Sequence, residues 1–187
     1  MPSLDVIETP GGEFHGTISL KTKQGKIIHL TVDPDWNVLA GVNILWSPDH
    51  RFLAATAGHN AYTESTRVFD IASGNPLPLE AFRQATKDML ERFPPGNAGI
   101  DSEDCKRQQQ NPFFNFAAIA WTPQQSLVVM SEVPCSSSYG RFMCQVIGYE
   151  IEVSTGNILN RWNAAPFKEK WQSHMAWDLK LPDPIPN

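Results

Sequence analysis

Little in this sequence ties it to nucleic acid, a bilayer or a catalytic reaction. Of its 187 residues only 19% are charged and the formal net charge is −5. No basic surplus is available to neutralise phosphates and release counterions, so nucleic acid is not an expected partner. No run approaches the roughly 20 apolar residues that cross a bilayer, and the longest apolar stretch is broken by Asn43, Ser47 and Pro48, so no membrane span is expected. The five histidines, His15, His29, His50, His59 and His174, are scattered, without His-x-x-x-His, Cys-x-x-Cys or His-Glu-x-x-His spacing. Asp101, Glu103 and Asp104 lack the glycine and terminal glutamate of a calcium loop and read as a solvated acidic segment. Gly-x-Ser-x-Gly is absent, and no glycine-rich loop opens a helix to cradle phosphate. No catalytic residue, metal or cofactor is therefore expected.

Cysteine is scarce too. Three residues cannot all pair within one chain; Cys135 and Cys144 bracket a hairpin tip and are the disulfide candidates, while Cys105 lies in a polar loop. The N-terminus, Met1-Pro2-Ser3-Leu4-Asp5, has no basic region followed by an apolar one, which leaves a mature periplasmic form carrying an added Met, or a cytoplasmic protein.

What is present is core material arranged with a period of two. Hydrophobic residues make up 41% of the chain, with 6 Trp and 10 Phe, enough for a folded body and read as one domain over 1–187. Phe14, Ile18 and Leu20 share one strand face, as do Ile28, Leu30 and Val32, with Lys23-Gln24-Gly25 as the turn between them. An internal repeat then emerges when residues 42–77 are laid on 117–159. Ile44-Leu45-Trp46-Ser47-Pro48-Asp49 matches Ile119-Ala120-Trp121-Thr122-Pro123-Gln124, and Ile71-Ala72-Ser73-Gly74-Asn75 matches Val153-Ser154-Thr155-Gly156-Asn157. Each unit reads as strand, Pro turn, strand, variable loop, strand, Gly-Asn turn and short strand. Pro48 and Pro123 pre-set φ in a tight turn that Ser47 and Thr122 cap, and Trp46 and Trp121 end the first strands as core-filling rings.

This pattern resembles single blades of the TolB-type and WD-type β-propellers. The chain departs from it at Gln124, where the family has Asp, and at the end of both Pro turns, where the family has Gly. Two amphipathic helices complete the reading. One covers 79–93, with Leu79, Phe82, Met89, Leu90 and Phe93 at helical spacing; the other covers 165–177, capped by Asn163 and facing inward with Phe167, Trp171, His174 and Met175. Two units are too few to close a ring of 4 to 8 blades. The expected fold is mainly β with two helices, its two propeller-blade-like antiparallel sheets forming a partial propeller and not a closed ring.

With no chemistry to assign, the expected function is non-catalytic protein binding. The 132–143 loop is the candidate: Ser136, Ser137 and Ser138 allow close approach, and Tyr139, Arg141 and Phe142 are of hot-spot or aromatic type. The matching loop of the first unit, 58–65, carries Tyr62. The architecture is similar to periplasmic immunity proteins that protect against type VI secretion effectors, which implies an inhibitor that plugs a partner enzyme with this loop. The alternative is a small-molecule or glycan site lined by Trp36, Trp46 or Trp121.

Overall fold

The computed structural model of the chain describes residues 2–8, 14–21, 27–30, 42–59, 63–94, 114–135, 137–175, 178–179 and 181. The Lys23-Gln24-Gly25 turn, Trp36, Tyr62, the acidic segment with Cys105, Ser136 and the prolines of the tail lie outside them. Two compact units result, Met1–Pro78 and Leu79–Asn187. Among the described residues the protein is mainly β with two helices, and the three sheets are antiparallel, none closing into a barrel or ring.

The first unit holds two three-stranded sheets. Strands β1 (Pro2–Glu8), β2 (Phe14–Lys21) and β3 (Ile27–Leu30) lie in that order, as do β4 (Val42–Trp46), β5 (Phe52–His59) and β6 (Thr63–Asp70). Ile18, Leu20 and Leu30 from the first sheet bury against Leu53, Ala55, Ala57 and Phe69 from the second, and this contact is the unit's core. The small Ala55 and Ala57 leave room for the larger side chains opposite. Strand β1 was not foreseen. Its apolar alternation, Leu4 and Val6, is too short to declare a strand without the partner β2 that pairs it from Pro2↔Leu20 to Glu8↔Phe14.

The second unit sandwiches one sheet between two helices. Helix α1 (Glu80–Arg92) precedes β7 (Asn115–Trp121), β8 (Ser126–Glu132), β9 (Val146–Glu152) and β10 (Asn157–Asn163), and α2 (Ala164–Trp171) follows. The sheet order is β10-β9-β8-β7. Tyr149 of β9 sends its hydroxyl to Asp88 of α1 at 2.7 Å, while at its neighbour Gly148 the Phe167 ring of α2 fills the space a Cβ would occupy. Adjacent strand residues point to opposite faces, so α1 and α2 cover opposite sides of the sheet. Asp88 also pairs with Arg161 of β10 at 2.8 Å, tying α1 to the sheet's edge strand. Helix α1 seats Ala81, Ala85 and Met89, an i, i+4, i+8 row whose two alanines admit close approach; Phe82 sits at the margin against Phe116, 5.5 Å between ring centres. Helix α2 buries Phe167 and Trp171 as expected, but it ends at Trp171 and tightens into a 3-10 turn, Gln172–His174, which leaves His174 exposed. Asn163 caps nothing with its side chain; its Oδ1 accepts from Arg92 instead, at 2.8 Å.

The repeat is visible atom by atom at its turns. Ser47 Oγ accepts from Phe52 N at 2.9 Å, and Thr122 Oγ1 accepts from Ser126 N at 3.2 Å. His50 N bonds the Ser47 carbonyl and Gln125 N the Thr122 carbonyl. The positions where the resembling family has Gly are His50, at φ 59°, and Gln125, at φ 66°: the left-handed backbone is kept without the residue that adopts it cheaply. At the second turn, Gly74 and Gly156 both have φ 73°, and their N–H groups reach Asp70 O and Glu152 O, each at 2.8 Å.

The copies differ in two ways. The second Pro turn is a residue tighter, with Trp121 opposite Leu127 where Trp46 is opposite Leu53, and the register is shifted again between Ala118 and Ala120. The fourth strand forms only in the second copy. In the first, Pro76 and Pro78 remove every other N–H, and what remains is a single bridge of Phe69 with Pro76, flanked by Asp70 N to Asn75 O at 3.1 Å and Leu77 N to Val68 O at 2.7 Å. The tryptophans also depart from expectation. Trp46 is 37% exposed, with His50 edge-on to it at 6.0 Å, and Trp121 is half-buried, because each ends its strand at the rim of a sheet and not over its centre.

Candidate functional site

The loop after β8 is held at its base by sheet-like bonds, Val133 N to Gln145 O at 2.8 Å and Cys144 N to Val133 O at 3.1 Å. Immediately beyond, Cys135 and Cys144 are joined as a disulfide, their Cα atoms 4.6 Å apart. Between them Ser137–Phe142 forms 3-10 turns broken at Gly140, whose φ of 52° and ψ of −129° make a kink available to glycine alone. The kink turns the tip back onto the body. Tyr139 is 1% exposed and Phe142 4%, and Phe142 meets Phe93, just past α1, with 5.8 Å between ring centres.

This placement buries two of the side chains that the sequence offered as presented anchors. Burial pushes the Tyr139 hydroxyl's pKa up to about 12. Arg141 is exposed, its guanidinium lying over the Phe142 ring at 5.0 Å, so of Tyr139, Arg141 and Phe142 it is the one that faces solvent. The sequence signal that misled was composition: Tyr, Arg and Phe in a Ser-rich hairpin look the same whether the aromatics point out or fold under, and Gly140 decides which. Of Ser137 and Ser138 only the backbone is described, and Tyr62 and Ser136 lie outside the described residues. Truncating Tyr139 would therefore remove core packing along with any binding contact.

Next to the loop, Glu132 is partly buried and accepts from the Asn115 side-chain amide at 3.2 Å; burial raises its pKa above the usual carboxylate value. Among the described residues no three His, Cys, Asp or Glu side chains gather as metal ligands. Of the tryptophans proposed to line a pocket, Trp36 lies outside the described residues, while Trp46 and Trp121 belong to different units. A second aromatic group was not anticipated. Trp162 of β10 and Trp171 of α2 stand edge to face at 6.0 Å, with the Lys170 ammonium 4.7 Å from the centre of the first ring and 5.1 Å from that of the second. The lysine stem covers apolar surface while its charge stays in water.

No family model matches the chain, and no solved structure matches it. Among curated proteins it is similar to Protein Syd of Shewanella loihica, 26% identical over 136 residues, which is 69% of this chain and 56% of that protein. The chain thus spans little more than half the length of the relative it matches. The likeness is to Protein Syd and not to an immunity protein, and with Tyr139 and Phe142 folded into the core it withdraws the expectation of an inhibitor that plugs an enzyme with the 132–143 loop.

Proposed function

We propose that this chain is a non-catalytic protein-binding module that acts at the membrane through a protein partner, with SecY the partner to test first. The single observation that carries the reading is the likeness to Protein Syd, which extends over most of the chain. The scaffold suits the role physically. Sheets backed by buried apolar cores hold surface side chains in fixed positions, so little conformational entropy is lost when a partner docks. No described helix is long and apolar enough to cross a membrane. The test is capture of purified, detergent-solubilised SecY by the immobilised chain. Stoichiometric capture supports the proposal; absence of capture, with SecY shown folded, overturns it.

A further inference from the structure

We infer that the Cys135–Cys144 disulfide is a redox-operated latch on the segment between them, and that its reduction releases Tyr139 and Phe142 from the core. The inference stands apart from the proposed partner and rests on four features of the loop. Cys135 is exposed and Cys144 partly so, which puts the bond within reach of a reductant in the folded protein. Cys144 sits at φ 61°, a left-handed conformation that a side-chain-bearing residue holds at a cost and that relaxation of the loop would relieve. Two backbone bonds beyond the base, Met143 N to Gly140 O and Gln145 N to Phe142 O, are local and travel with the segment if it opens. Finally, the tip carries two buried aromatic rings, Tyr139 and Phe142, the latter against Phe93, so opening it converts covered apolar surface into exposed apolar surface.

The chemistry requires a dithiol reductant. One of its thiolates attacks Sγ of exposed Cys135, forming a mixed disulfide while Cys144 departs as a thiolate and takes up a proton. The reductant's second thiolate then closes on the first, releasing the Cys135 thiolate, which is protonated in turn. Two electrons and two protons pass to the protein, and the reductant leaves as a disulfide. In the chain-entropy account, removing a crosslink across this sequence separation of 9 residues makes opening on the order of 100-fold more frequent.

Native-state amide exchange by mass spectrometry, on the oxidised full-length chain and on the same chain held reduced by dithiothreitol, tests this. The variant carrying both Cys135→Ser and Cys144→Ser provides a reductant-free control. The expected result is loss of protection across 137–145 of roughly 100-fold in the reduced chain and the double variant alike, with β7, β8 and β9 unchanged. Equal protection in both redox states overturns the inference, as does a bond that native protein does not yield to the dithiol. Loss of protection throughout the second unit also overturns it, because the bond would then be a staple for the fold and not a latch on one segment.

Discussion

Gly74 and Gly156 share a φ of 73° yet differ in what surrounds them. A Cβ on Gly74 would stand 2.7 Å from the His29 carbonyl oxygen, while one on Gly156 would find its nearest atom, Glu80 N, at 3.5 Å. Gly156→Ala should therefore lose about 1–2 kcal/mol from the left-handed backbone alone, and Gly74→Ala clearly more, because a backbone oxygen cannot step aside cheaply. Urea denaturation of the two variants gives the comparison, and equal losses would mean that the β3 contact is slack. Gln125 presents the reverse case. It holds φ 66° with a side chain, and its Oε1 is buried with no partner among the described residues. Gln125→Gly should stabilise by up to about 1 kcal/mol, whereas His50→Gly should gain less, since the edge-on contact with Trp46 is lost with the ring. Both glycines were legible as turn formers from the Ser-Gly-Asn and Thr-Gly-Asn runs. That His50 and Gln125 adopt the same backbone class was not, because glutamine carries no preference for positive φ and histidine, though enriched there, adopts it only rarely.

At the scale of elements, the order strand, Pro turn, strand, loop, strand, Gly-Asn turn could be read directly, since hydrophobic alternation and turn chemistry are both local signals. A short fourth strand was expected in both copies; in the first it does not form, because Pro76 and Pro78 lack the N–H groups that would continue the ladder. The direction taken by the 137–142 tip was not legible, because it depends on a kink at Gly140 and on a contact with Phe93 that only the assembled unit provides. Of the candidate side chains the structure describes, Tyr139 and Phe142 are buried and Arg141 is exposed. At the base of that loop Glu132 supplies a pH test. Burial raises its folded-state pKa above its unfolded value, so its contribution to stability is fully present below the ordinary carboxylate pKa and is lost as pH rises through the folded one. Glu132→Gln keeps an acceptor for Asn115 and carries no charge. Its melting temperature should exceed the parent's at pH 7, and the gap should close on acidification toward pH ~4. Thermal melts across that range check it, and a gap that widens in acid would show that Asn115 stabilises the carboxylate more than burial penalises it.

For the whole molecule, two units of unlike construction share one repeat: a sheet packed on another sheet in the first, and a sheet between two helices in the second. Composition shaped only the expectations, since a formal net charge of −5 gave no reason to expect nucleic acid and the scattered histidines offered no metal motif. Neither composition nor repeat pointed to a partner, because blade-like sheets are scaffolds that carry unrelated functions. The proposal that this scaffold binds a membrane-embedded protein is tested most directly by equilibrium titration of the labelled chain into lipid vesicles. Vesicles with reconstituted SecY should give saturable binding, and empty vesicles of the same lipid composition none. Equal binding to both would make the lipid the target, and binding to neither would contradict the account.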